Sequence, residues 1–301
     1  MIRISVLILW IATISCNNPI SDSKRAGDNS SEKVIPVEKN LVQDLPEELS
    51  EISGITFLND SVLVAIQDEE GILFYYNIMQ KRIVRKQWFA DNDDYEDLAK
   101  AGSDMYVITS KGLLYRIKNF ESSKPLITSV QTPLSAKNNI EGLTFDSKNN
   151  RLLIAPKESG LDQDKTTKEI YSFNLKTMKF ELRPVYTIRL GEIEAQFEGN
   201  ELEESSKKFL KAMGNHNMNK IFRSSALAVK EKTGEIYLLS AINGLIIILE
   251  PRGSLKKIIP FSGQEYKQPE GLAFSPNGKL YMSNEGNKSG IGNIIELIHA
   301  N

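Results

Sequence analysis

Five short segments of this chain are copies of one pattern, and their spacing restricts the architecture more than any other feature. They are EISGITF from Glu51, YEDLA from Tyr95, IEGLTF from Ile140, SSALAV from Ser224 and PEGLAF from Pro269. Aligned, they place Ser53, Glu96, Glu141, Ser225 and Glu270 in one slot, at steps of 43, 45, 84 and 45 residues. Strand-rich repeats of ~40–50 residues are the signature of propeller blades. The first copy is followed by SVLVAIQ, ILFYYNI and RIVRKQWF, the third by RLLIAPK, EIYSFNL and FELRPVYTI, and the fourth by EIYLLSA, LIIILE and LKKIIPF. These runs are β-branched and aromatic, and Asn-Asp, Asn-Asn or Thr-Gly turn signals separate many of them. Each unit therefore predicts four strands.

The second repeat, with MYVITSK and LLYRIKN, fits less cleanly, and the fifth carries only GLAFS, KLYMSNE and NIIELI. The missing strand of the fifth is expected from residues 33–39 (KVIPVEK), which would close the ring and cover an otherwise open edge. The expected fold is all-β, a β-propeller of four-stranded blades. Five blades follow from the count, with six open because the long interval has room for a degenerate blade. Within that interval, residues 191–214 read as a helical insertion. Asn200 is placed to cap it with Glu203 three residues on, Glu203 and Glu204 face Lys207 and Lys208, and Gly214 ends it. The insertion is either a lid over the central pocket or a decoration.

The N-terminal residues form an export signal. Arg3 precedes an apolar run over residues 4–14 that ends in Ser15 and Cys16. Such a run is short of the ~20 residues a membrane span needs but suits a signal peptide. Cys16, the only cysteine, stands where lipoprotein processing would leave it as the acylated N-terminus, although Leu is missing three positions upstream. An ordinary signal peptide is the alternative. The expected organisation is a signal peptide at 1–15, a lipidated Cys16 and polar tether over 16–32, and a propeller at 33–301. That predicts a cell-envelope protein held to a membrane by its lipid, periplasmic or on the outer surface, and monomeric. A net charge of −2 argues against a nucleic-acid partner.

The start of a blade's first strand and the end of its second meet at one mouth of the central channel. Here those positions offer Glu51, Glu96, Glu141 and Glu270, then Asp68, Glu69, Glu158 and Glu285, with Ser53, Ser225 and Ser240 in the other slots. Converging carboxylates must be protonated, paired with cations or neutralised by metal. Ca²⁺, which takes oxygen ligands, suits carboxylates of this kind together with backbone carbonyls and serine or asparagine oxygens. Lys111, Lys157 and Arg223 offer neutralisation without metal. A recurrent Glu-Gly that serves only each blade's backbone is the competing structural reading. His216 and His299 are the only histidines and have no partner at zinc-ligand spacing, and no G-x-S-x-G elbow or phosphate loop is present.

The order and spacing of these motifs, with Gln67-Asp68-Glu69 and Lys157-Glu158 after second strands, resemble the SdiA-regulated (YjiK-like) β-propeller family over roughly residues 40–300. The resemblance implies an envelope-associated single-domain propeller without an established enzymatic activity, and permits Ca²⁺ at the mouth. By motif match it points to Glu96, Glu141, Glu158, Glu270 and Asp68. The chain departs from the pattern at Ser225-Ala226, where Ser-Gly is expected, and in its insertion. The expected function is non-catalytic binding of a divalent cation, a small ligand or an envelope partner at the mouth. A Ca²⁺-dependent hydrolase of the lactonase or phytase kind and a structural scaffold are the alternatives.

Overall fold

The computed structural model describes residues 38–197, 217–286 and 290–298. Five four-stranded antiparallel sheets are present. Blade 1 is β2 (Ile52–Asn59), β3 (Val62–Gln67), β4 (Ile72–Asn77) and β5 (Arg82–Trp88). Blade 2 is β6 (Tyr95–Ala101), β7 (Asp104–Thr109), β8 (Leu113–Lys118) and β9 (Leu126–Gln131). Blade 3 is β10 (Ile140–Asp146), β11 (Arg151–Pro156), β12 (Thr167–Asn174) and β13 (Lys179–Arg189). Blade 4 is β14 (Ala226–Lys230), β15 (Glu235–Ser240), β16 (Leu245–Leu249) and β17 (Leu255–Pro260). Blade 5 is β18 (Pro269–Phe274), β19 (Leu280–Asn284) and β20 (Asn293–Ile298), completed on its outer side by β1 (Glu38–Asp44).

The inner strands touch in the order β2, β6, β10, β14, β18 and back to β2, so the ring closes with five blades. Alternation along the strands sends apolar residues to both faces of each sheet, and a core forms between every pair of neighbours. Leu63, Phe74 and Tyr281 lie between blades 5 and 1, and Leu73, Tyr95 and Val107 between blades 1 and 2. Ile108, Leu152 and Phe173 lie between blades 2 and 3, Ile170, Phe222 and Leu238 between 3 and 4, and Tyr237, Ile246 and Met282 between 4 and 5. Of the outermost strands, β9 is exposed throughout, whereas β13 buries Tyr186 and Ile188 and β17 buries Ile258 and Ile259.

The closing strand comes from the N-terminal side as expected, but it is β1 (Glu38–Asp44), so most of the expected strand at 33–39 falls outside the described residues. In the observed register Gln43 is buried and donates to the Tyr76 hydroxyl, and Leu45 and Leu49 reach the core between blades 5 and 1.

Of the insertion, α1 (Leu190–Phe197) follows β13 directly and α2 (Met218–Ile221) leads into blade 4. Leu190, Ile193, Met218 and Ile221 join the core between blades 3 and 4. The helix expected from Asn200 to Gly214 lies outside the described residues, as do Cys16, His216 and His299. No helix among the described residues is long and apolar enough to cross a membrane.

Candidate functional site

The repeated slot owes its geometry to the residue after it. Gly54, Asp97, Gly142, Ala226 and Gly271 follow Ser53, Glu96, Glu141, Ser225 and Glu270. A Cβ on Gly271 would lie 2.6 Å from the Ser53 carbonyl oxygen of blade 1, and one on Gly142 3.0 Å from the Leu227 Cβ of blade 4. The glycine of each Glu-Gly pair therefore lets adjacent inner strands approach. That approach gathers the slot residues at one end of the channel.

Glu141 is buried, and its Oε1 accepts from the Lys157 ammonium and from Asn139 Nδ2 at 3.1 Å. Its Oε2 is buried without a partner. Burial, followed by the Glu141, Asp94 and Glu270 carboxylates, pushes the Glu96 carboxyl far above the usual carboxylate range. Burial also raises Glu141, against the pull of Lys157. Glu270 is pushed up to about 7 by burial and Glu141, and Glu285 to about 7 by burial, Glu270 and Asp68. Asp68 is raised by burial, Glu51 and Glu69. Burial works against the Lys157 ammonium, but Glu141, Glu270 and Glu96 together hold its pKa above the usual lysine value. One lysine thus sits among glutamates of blades 2, 3 and 5.

The other candidates divide by what they touch. Glu158 is ion-paired with Arg223, and Lys111 with Asp93 at 2.8 Å. Ser240 Oγ accepts the Arg223 amide at 3.0 Å and so fixes backbone. The Ser53 carbonyl accepts from Ser283 Oγ at 2.9 Å, Glu285 accepts from Gln268, and Glu51 stays exposed at the rim. Ser225 Oγ is buried with no partner, in the slot that holds glutamate in three other blades. Among the described residues no three His, Cys, Asp or Glu side chains form a group able to hold a metal ion.

Two residues of consequence were not anticipated from sequence. Asp97 stands where the other blades carry glycine or alanine; it is fully buried and accepts the amides of Leu98 at 2.8 Å and Leu143 at 2.7 Å, tying blade 2 to blade 3. That departure from small residues was its signal. Lys168 on β12 had none. It is buried and donates to the carbonyls of Lys157 and Glu158, at 2.6 and 3.0 Å, and to Asn219 of α2. Burial depresses its pKa to about 8. Lys168 therefore holds in place the loop that carries Lys157 and Glu158. Lys168→Met leaves two carbonyls without their donor and is expected to cost about 2 kcal/mol, read by denaturant unfolding. An unchanged midpoint would remove Lys168 from this role.

A crystal structure of glutaminyl cyclase from Myxococcus xanthus is similar in fold, with a TM-score of 0.57 and 13% identity over 88% of this chain and 98% of that one. Virginiamycin B lyase from Staphylococcus aureus is a more distant likeness, with a TM-score of 0.43 and 12% identity over 84% of this chain and 72% of that one. No curated protein matches the chain in sequence. The SdiA-regulated family model matches residues 35–288, the span that holds the repeats and nearly all of the five blades. The chain belongs to the SdiA-regulated β-propeller family.

Proposed function

We propose that this protein is a lipid-anchored propeller of the cell envelope that binds, without transforming it, a ligand bearing an ammonium or guanidinium group at its acidic mouth. The observation that carries the reading is Glu141 Oε2, buried and unpartnered next to the carboxyls of Glu96 and Glu270, with Ser225 Oγ buried and unpartnered in the same slot of blade 4. A buried polar atom left bare costs about 1–3 kcal/mol, so an acceptor-rich recess of this kind favours a partner rich in donors. An ammonium brings three N–H donors and one positive charge. The anchor rests on the export signal and Cys16.

Ca²⁺ is the second reading. Glu96, Glu270, Glu285 and Asp68 make no salt bridge among the described residues, although Glu285 accepts from Gln268. Against it, Ca²⁺ takes ~6–8 oxygen ligands, and Glu141 and Glu158 of the candidate set are engaged by Lys157 and Arg223. All five blades fall within residues 33–301, which serve as the unit for the test. Calorimetric titration of that unit with 1,5-diaminopentane and with CaCl₂, in wild type, Glu141→Gln and Glu270→Gln, separates the readings. Diamine binding weakened about tenfold or more by each change supports the proposal. Calcium binding alone, lost in both variants, transfers the site to the metal. Neither heat, with intact folding, leaves a structural scaffold.

A further inference from the structure

The opposite end of the same channel holds a second recess of the other sign. It is a cavity of about 630 Å³, within the ~300–1,000 Å³ range of small-molecule sites. Its floor is bounded by Ile55, Leu98, Leu143, Leu227 and Leu272, the residues that follow the glycine position in each blade, which are at most 2% exposed and pack into the cores between blades. The next inward-lining layer toward solvent contains Phe57, Phe145, Val229 and Phe274, and in blade 2 the equivalent position is Lys100. Lys230 and Lys232 line the rim, and the Lys230 ammonium lies 6.0 Å from the centre of the Phe274 ring.

The charge at this end is unbalanced. Asp104 is paired with Arg116 at 2.6 Å, Asp146 with Arg151 at 2.8 Å, and Glu235 with Lys256. Asp60 accepts the Asn277 amide at 2.9 Å. Among the described residues Glu231, which is exposed, is the single acid lining the cavity, against Lys100, Lys230 and Lys232; none of the three makes a salt bridge there, although, against the effect of burial, Lys230 helps Lys256 hold the Glu235 carboxyl below its usual pKa. A lysine within an otherwise apolar layer of a concave wall has one chemical use that the wall itself does not supply, which is to hold an anion whose apolar part fills the rest.

We propose that this cavity is a binding site for a small amphipathic carboxylate, an acyl or aryl acid, with its apolar body against the partly exposed Phe145, Val229 and Phe274 side chains and its carboxylate between Lys100 and Lys230. The site is separate from the acidic mouth, and neither reading depends on the other.

The test is calorimetric titration of residues 33–301 with octanoate and, separately, with 1-octanol, in wild type and in the Lys100→Gln, Lys230→Gln double variant. Both lysines are only half-buried, so the variant is expected to fold, which its circular dichroism and unfolding midpoint check. The expected result is saturable binding of one octanoate, octanol at least about tenfold weaker, and octanoate weakened about tenfold or more by the double change, which removes both lysine contacts to the carboxylate. Absence of saturable octanoate binding, equal binding of octanol, or undiminished binding in the folded variant would each overturn the assignment.

Discussion

Between pH 5 and pH 8 the propeller is expected to lose stability, and Glu270→Gln is expected to remove a substantial part of that loss. The folded-state pKa of Glu270 is about 7 against an ordinary value of 4.5. Below 4.5 the carboxyl is protonated in both states. Between 4.5 and 7 the folded state keeps a proton that the unfolded chain has released, so folding is weakened as pH rises and the loss levels off above 7. For one group, discounted for the mouth's contact with solvent, the change is on the order of 2–3 kcal/mol.

Glu141, Lys157, Gln268 and Asp68 face Glu270, and the carboxyls of Glu141, Asp68, Glu285, Glu96 and Asp97 are shifted in the same upward direction, adding to the slope. Lys157, raised above 10.5, contributes nothing to this window, and Lys168, lowered to about 8, acts only at its alkaline end. Denaturant unfolding across the range reads the slope. A Glu270→Gln protein with the wild-type slope would show that Glu270 titrates normally. A cation bound at the mouth would restore stability at pH 8, because it stabilises the ionised carboxylates.

Gly54→Ala is expected to destabilise the fold by about 3 kcal/mol, and by less in a protein that already carries Asp97→Ala. A Cβ at position 54 would lie 2.3 Å from Asp97 Oδ1 and 2.6 Å from Asp97 Cα, so a side chain and a backbone must both move. Asp97→Ala alone deprives the Leu98 and Leu143 amides of their acceptor and opens a void, for a loss of about 2–4 kcal/mol. The Oδ1 clash disappears in the double variant while the Cα clash stays. A coupling of about 1 kcal/mol is therefore expected from the unfolding free energies of the four proteins. Strict additivity would mean that the blade 1–blade 2 contact relaxes by backbone movement and that Asp97 is not what fills the space above Gly54.

Five blades, four strands in each and closure by an N-terminal strand were legible because each repeat writes its own strands and turns within ~45 residues. The acidic mouth was legible for the same reason, since Glu96, Glu141 and Glu270 occupy one slot in a pattern whose strand directions are set by topology. What the sequence could not reveal is which group each carboxylate meets. Glu141 is taken by Lys157 and Glu158 by Arg223, 65 positions away, while Ser225 is left with no partner. Lys168, buried under the mouth loop, reads in the sequence as an ordinary strand lysine. The basic cavity at the far end was missed because its wall is assembled from a few residues of each blade, each an unremarkable strand residue in its own repeat. Local patterning sets strands, turns and the slot; pairing, burial and cavity arise only when five separate stretches of chain are packed around one axis, where a side chain's neighbours come from other blades.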